Sequence, residues 1–239
     1  MHYGHLAQAV VDWAVENGQR DRIAAIDLET KVIGESGFLS NEIILSIAVA
    51  HRKSTGELRS EIYTLDEETD DAEISLLQQF NDFMLDVKPM ILLGYSLTSY
   101  DIPLLNLKLR DVEERGRKKG EKIIFWGILD CISRAFILDM KHPARFEIAK
   151  YSFGNPKILP LDRIVNHERF RGLPLMRTKN LVPRGSDPAD KGKRIYQLWK
   201  KNRLDFERYA KGDVHDVLLI FEHLFLNSKS EKNSGGVKI

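Results

Sequence analysis

Three short runs rich in β-forming residues, separated by turn-prone segments, constrain the fold of this chain more than any other feature. The runs cover residues 23–28, 42–51 and 58–65, and KVIGESG and RKSTG lie between them. This pattern predicts a meander of neighbouring strands. Residues 73–87 then place their apolar side chains on one side of a helix, ahead of the buried strand MILLGYS. A helix between two strands indicates a β-α-β crossover, and therefore an α/β fold with a mixed central sheet flanked by helices.

The remaining segments predict one domain with short extensions. Residues 1–20 form an N-terminal helix that ends near Gly18, residues 21–226 form the domain, and the polar tail 227–239 is disordered. Within the domain we predict helices over 102–114, 131–138, 161–167 and 204–226, and a strand over 123–129. The string LVPRGS at 181–186 matches a protease site of expression vectors, native or engineered. Residues 177–193 are therefore expected to form an exposed, flexible loop without a function.

Composition says more about the cellular compartment of the protein than about the molecule that it binds. Only one cysteine, Cys131, is present, which favours a reducing cytoplasm, and no run of about 18 apolar residues predicts a membrane segment. Lysine and arginine total 36 against 35 acidic residues, so net charge does not indicate nucleic acid. Basic clusters at 108–122 and 191–203 could follow a phosphate backbone, but solvated helix faces are the favoured interpretation.

Four carboxylates and a tyrosine occur in three separate motifs. In IAAIDLET, strand alternation sends Asp27 and Glu29 to the same face, where a hard divalent cation would relieve their repulsion. In LLGYSLTSYDIPLL, Asp101 lies at the first turn of a helix, where helix capping is the ordinary role. In LDFERYAKGDVHDVLLIF, Tyr209 and Asp213 are four residues apart and share a helix face. No one of these motifs alone predicts a metal site.

Taken in order, the three motifs resemble the exonuclease superfamily named for its Asp-Glu-Asp-Asp carboxylates. The resemblance is greatest to the proofreading domain of family B DNA polymerases and covers roughly residues 22–226. It implies a ribonuclease H-like fold and a 3′→5′ exonuclease that holds two Mg²⁺ or Mn²⁺ ions on the four carboxylates. Arg208 stands where the histidine branch of this superfamily has histidine. With Tyr209 four residues before Asp213, the chain instead resembles the tyrosine branch.

The resemblance also implies individual roles. Asp27 would bridge both ions, Glu29 and Asp213 would complete the site of the ion that activates water, and Asp101 would act on the second ion. Tyr209 would orient the attacking water, and the product would be a 5′-mononucleotide released from a single-stranded DNA 3′ end.

Contacts to the terminal nucleotide are expected from aromatic and polar residues near the carboxylates. Phe38, Tyr95 and Tyr100 are candidates for stacking on a base, with core packing as the alternative for each. Ser96 and Tyr100 depart from the asparagine and phenylalanine that the polymerase domains usually carry at these positions.

Other functions remain open from the sequence. A ribonuclease D-like exoribonuclease has the same carboxylates and tyrosine, so RNA is an alternative substrate. A catalytically silent domain that binds nucleic-acid ends or a partner protein is another, because fold does not guarantee activity. Met1 and the lack of a polymerase domain favour a free-standing enzyme over a polymerase fragment.

Overall fold

The computed structural model describes residues 3–32, 42–149, 160–182 and 188–226. Within these residues, five strands form one mixed sheet in the order β3-β2-β1-β4-β5. Strands β1, β2 and β3 are antiparallel neighbours, whereas β4 and β5 run parallel to β1. The strand bounds are β1 Ile23–Val32, β2 Glu42–Arg52, β3 Leu58–Thr64, β4 Ile91–Gly94 and β5 Phe136–Asp139. The predicted meander and the mixed sheet are confirmed.

Helices cover both faces of this sheet. Their bounds are α1 Tyr3–Glu16, α2 Asp70–Val87, α3 Asp101–Lys118, α4 Trp126–Arg134, α5 Lys141–Ala149, α6 Leu161–Val165, α7 Pro188–Lys201 and α8 Arg203–Phe221. A π-helical turn, Glu222–Leu226, follows α8. Helices α2, α3 and α4 contribute to one buried cluster, and α1, α6 and α8 contribute to another. Alternation along β1 sends Ile26 into the first cluster and Ala25 into the second, so both faces of the sheet are buried.

The segment between α3 and β5 differs from the sequence prediction. Residues 126–134 form helix α4 instead of continuing a strand over 123–129, and residues 136–139 form β5 instead of a helix over 131–138. Gly127, Ile128 and Cys131 are the buried residues of α4, a helical spacing. The Asn81 side chain accepts a hydrogen bond from Gly127 N at 2.8 Å, which satisfies the start of the helix. Pairing of β5 with β4 overrides the local helical pattern.

The expected loop over 177–193 is mostly structured where the structure describes it. Thr178–Leu181 form a 3₁₀ turn, and α7 already begins at Pro188. Residues 183–187, the tail 227–239 and Phe38 lie outside the described residues. In the described part of the chain, no helix combines the length and apolar character needed to cross a membrane.

Candidate metal centre

Strand β1 presents the first two carboxylates of the site. Asp27 and Glu29 pair in register with Ala48 and Ser46 of β2, and the register shifts directly after Glu29. Because side chains alternate along a strand, both carboxylates project from the face that also carries Ala25. Helix α8 packs against β1 and β2, so these carboxylates lie between the sheet and that helix.

Helix α8 supplies the third carboxylate, Asp213. Carboxylate oxygens of Asp27, Glu29 and Asp213 all lie within 4.8 Å of one another. Glu29 and Asp213 are buried, at 5% exposure each, and Asp27 is partly exposed. Loss of solvation, reinforced by the charges of Glu29 and Asp213, raises the pKa of Asp27 well above its ordinary value. Three oxygen donors this close repel one another, so their chemistry fits a divalent cation such as Mg²⁺ or Mn²⁺.

Asp101 reaches the same strand from the start of helix α3. Its Oδ1 accepts a hydrogen bond from the backbone N–H of Leu28 at 3.1 Å, between the two β1 carboxylates in sequence. The side chain is buried, and burial raises the pKa of Asp101 to about 7 against the opposing effect of the Leu28 hydrogen bond. Asp101 is outside the group of three converging oxygens, but its contact ties the start of α3 to the site.

Tyr209 lies one helical turn before Asp213 and is fully buried. Its burial, with the nearby charges of Glu29 and Asp213, raises the pKa of the Tyr209 phenol well above its ordinary value. The hydroxyl accepts a hydrogen bond from Lys179 Nζ at 3.2 Å. Tyr209 is therefore protonated at neutral pH and cannot act there as a free base.

Lys179 is a site residue that the sequence reasoning missed. Its Nζ forms an ion pair with Asp213 and lies 4.6 Å from the centre of the Tyr209 ring. Although burial alone lowers the pKa of Lys179, the charges of Asp213, Glu29 and Asp27 raise it overall. The ammonium therefore stays charged and offsets part of the negative charge of the site. Neighbouring sequence contains no signal that separates Lys179 from an exposed lysine, and the vector-like LVPRGS string indicated a loop without function.

Three contacts hold the segment that carries Lys179 against α8. Thr178 Oγ1 donates a hydrogen bond to the Tyr209 carbonyl at 3.2 Å. Asp216 accepts hydrogen bonds from the backbone N–H groups of Met176 at 2.7 Å and Arg177 at 3.0 Å. Gly212 permits the close approach, because a Cβ at this position would lie 1.9 Å from Thr178 Oγ1. Both anchors belong to α8, so the lysine and Asp213 are positioned by the same helix.

Among the predicted nucleotide-contact residues, Tyr95, Ser96 and Tyr100 lie in the segment that leads from β4 into Asp101, and contacts within the protein hold them. The hydroxyl of Tyr100 bonds to Glu42 and to Thr30 Oγ1, the latter at 2.7 Å. Tyr95 packs against the second buried cluster. Ser96 adopts a φ of 72°, a conformation unusual for serine. Stacking of these residues on a base, and of Phe38 outside the described residues, stays a prediction.

A fifth carboxylate, Asp139 at the end of β5, organises the loop that contains Ser96. It accepts hydrogen bonds from the backbone N–H groups of Ser96 at 3.0 Å and Lys141 at 3.1 Å, and from Thr98 Oγ1 at 3.0 Å. Asp139 is 4% exposed, so these bonds form away from water and fix the loop that leads into Asp101. No role for Asp139 could be predicted from the sequence, because only the parallel pairing of β4 and β5 brings it beside this loop.

Comparison with known families identifies the domain. A sequence model of the exonuclease domain of DNA polymerase family B matches residues 14–136. The chain belongs to this exonuclease domain family. The matched residues include Asp27, Glu29 and Asp101, while the rest of the site lies beyond them and joins it through the fold. Membership implies 3′→5′ exonuclease activity, as the sequence resemblance predicted.

A solved structure has the same fold. The family B DNA polymerase of the hyperthermophilic archaeon Pyrobaculum calidifontis is 21% identical, with a TM-score of 0.53 over 84% of this chain. This likeness confirms the predicted α/β, ribonuclease H-like fold. Only 24% of the polymerase chain is covered, so this chain spans about a quarter of that protein's length. No curated protein sequence matches the chain.

Proposed function

We propose that this protein is a divalent-metal-dependent 3′→5′ exonuclease that releases 5′-mononucleotides from single-stranded DNA 3′ ends. The observation that carries the proposal is the convergence of Asp27, Glu29 and Asp213 oxygens within 4.8 Å, beside a tyrosine, in a member of an exonuclease domain family. The single cysteine, which is buried, supports the further proposal of a reducing, cytoplasmic location.

Mg²⁺ or Mn²⁺ would be held by Asp27, Glu29 and Asp213, with Asp101 serving a second ion. Bound there, such ions would lower the pKa of a coordinated water and stabilise negative charge on the attacking and leaving oxygens of a phosphodiester. The protein contributes the acidic cluster, and the burial of Glu29 and Asp213 between β1 and α8 limits competing solvent.

Tyr209 and Lys179 act together on the nucleophile side. Because the phenolic oxygen accepts a hydrogen bond from Lys179 Nζ, the single hydroxyl hydrogen of Tyr209 is left to donate to another acceptor. We infer that this acceptor is the attacking water, which Tyr209 orients without removing its proton. Between turnovers, the Lys179 ammonium offsets part of the negative charge near Asp213.

Two alternative functions can each be tested directly. A ribonuclease D-like enzyme would use the same carboxylates, so hydrolysis of single-stranded DNA and RNA of matched sequence must be compared; the polymerase family match favours DNA. A silent domain that binds nucleic-acid ends or a partner protein would bind without releasing nucleotides. Faster hydrolysis of RNA would establish the first alternative, and absence of metal-dependent nucleotide release would establish the second.

The central test removes one carboxylate at a time. Asp27→Ala and Asp213→Ala should abolish Mg²⁺- or Mn²⁺-dependent nucleotide release and the rise in Tm on adding metal, while circular dichroism stays that of a folded domain. Asp130→Ala is the matched control, because Asp130 pairs on the surface with Arg134 of the same helix. Full activity in purified Asp27→Ala protein would refute the proposed function.

A further inference from the structure

Three cations of the first basic cluster in the sequence, Lys108, Arg115 and Lys118, form ion pairs within the protein. In α3, Lys108 Nζ lies 3.1 Å from Glu73, and Arg115 pairs with both Glu73 and Asp70 of α2. Lys118 pairs with Glu114 on the same helix at 2.9 Å. These three cations already have carboxylate partners, and the pairs of Lys108 and Arg115 hold α3 against α2.

In the second cluster, residues 191–203, some cations have hydrogen-bond or ion-pair partners in the described part of the chain and others do not. Lys200 pairs with Glu68 at 3.0 Å, and Arg203 donates to the Leu65 carbonyl at 3.0 Å. Lys193, on the exposed side of α7, lies 3.9 Å from Asp190. Two cations of this helix, Lys191 and Arg194, differ from these in their surroundings.

Lys191 and Arg194 are three residues apart and so lie on one face of α7. Helix α7 packs against β1, the strand that carries Glu29. Burial raises the pKa of Glu29 overall, and the charge of exposed Lys191 opposes this rise more than the charge of Lys179 does. The packing of α7 on β1 brings this helix to the strand that carries Glu29, and the effect of Lys191 on the pKa of Glu29 agrees with that position.

Arg194 has unused donors on this face. Its Nε and Nη2 atoms are buried, and neither has a hydrogen-bond partner among the residues that the structure describes. Buried donors without acceptors are costly, and those on a charged group more so. A guanidinium offers two parallel N–H groups that match the oxygens of a phosphate, and a neighbouring lysine adds a point charge.

We propose that Lys191 and Arg194 bind a phosphodiester of the substrate strand at the Glu29 side of the metal centre. Arg194 donates two hydrogen bonds to the phosphate oxygens, and Lys191 draws the strand in from solvent. This inference rests on the proposed function, because it assigns the bound anion to the nucleic-acid substrate. It also assigns a role to the basic segment 191–203 that net charge alone did not support.

Binding without hydrolysis tests the proposal. Anisotropy of a labelled single-stranded oligonucleotide would be measured in EDTA, over a series of salt concentrations, with wild type and Lys191→Ala, Arg194→Gln and Arg194→Lys variants. Arg194→Gln should weaken binding about tenfold, Arg194→Lys should recover only part of this loss, and Lys191→Ala should weaken it about threefold. Each charge-removing variant should reduce the slope of log K against log salt by about 0.7. Lys193→Ala, on the opposite side of the same helix, is the matched control.

Each outcome decides the matter. Unchanged affinity and salt slope in folded Arg194→Gln protein, an equal loss in Lys193→Ala, or no binding by wild type would overturn the phosphate contact. Nucleotide release in Mg²⁺ or Mn²⁺ is measured separately. Wild type that binds through Arg194 but releases no nucleotide would refute the proposed nuclease while leaving the phosphate contact supported.

Discussion

A single methyl group at Gly212 should separate Lys179 from the carboxylates. In Gly212→Ala, the new Cβ would lie 1.9 Å from Thr178 Oγ1 and 2.9 Å from Thr178 Cβ and Cγ2. Ordinary contact requires the Thr178 side chain to retreat by roughly 1.5 Å. That movement breaks the hydrogen bond from Thr178 to the Tyr209 carbonyl, and it carries Lys179 away from Asp213 because the two residues are adjacent in the chain.

The expected cost follows from three contributions. Overpacking costs about 1–3 kcal/mol, and the lost hydrogen bond about 1 kcal/mol. Replacing glycine by alanine inside helix α8 gains about 1 kcal/mol. The net loss of about 1–3 kcal/mol lowers Tm by about 2–12 °C for a domain of this size. A displacement on this scale at the site should also slow nucleotide release by about 10²-fold.

Thermal melting and single-turnover nucleotide release would be measured on Gly212→Ala and on Gly172→Ala. A Cβ at Gly172 meets nothing within 4 Å, so this control should stay within about 0.5 kcal/mol of wild type. Thr178→Ala in the Gly212→Ala background should be less harmful than the sum of the two changes, since it removes the atom that clashes. Wild-type Tm and rate in Gly212→Ala would refute the packing of this segment on α8.

Three further changes test individual groups. Tyr209→Phe should slow nucleotide release about 10²–10⁴-fold while keeping the metal-induced rise in Tm, since only the hydroxyl is lost from a buried ring. In EDTA, Lys179→Met should destabilise the protein by about 3–5 kcal/mol, because its buried ion pair is broken. The same change should tighten Mn²⁺ binding, measured by calorimetry, because a competing cation is removed. Burial raises the pKa of Asp101 to about 7 from 3.8, so between these values the folded state binds more protons than the unfolded state. In EDTA, the Tm of wild type should therefore fall as pH rises through this window, and Asp101→Asn should make this fall smaller.

The results that contradict these expectations are distinct. An unchanged rate in Tyr209→Phe would remove the hydroxyl from the mechanism. Weaker Mn²⁺ binding in Lys179→Met would mean that the ammonium supports the metal site instead of competing with it. If the Tm of wild type in EDTA rises with pH between the two pKa values of Asp101, burial does not disfavour the charged form of these carboxylates.

Local pattern was sufficient for much of the fold. Strands β1 to β3 and helix α2 follow from alternation, turn residues and helical spacing, which act over a few neighbouring residues. The segment from Trp126 to Asp139 could not be predicted in this way. Its residues suit a strand or a helix equally, and the choice was made by Asn81 at the start of α4 and by β4 beside β5.

The candidate site shows the same division. The resemblance carried by Asp27, Glu29, Asp101, Tyr209 and Asp213, in their order along the chain, predicted membership of the exonuclease family. Spacing alone predicted only which side chains share a strand face or a helix face. Spacing cannot give distances between elements. Convergence of the oxygens of Asp27, Glu29 and Asp213 depends on α8 packing across β1.

By itself, the sequence determined the α/β class, the order of the carboxylates and the choice of tyrosine over histidine. Only the tertiary structure decided which cations accompany them. Lys179 reaches Asp213 because Gly212 lets its segment approach α8. Lys200 already pairs with Glu68, whereas Arg194 has buried donors without a partner in the described part of the chain. Charge partners are chosen by proximity in space, which residues distant in sequence acquire only when the core brings their helices and strands together.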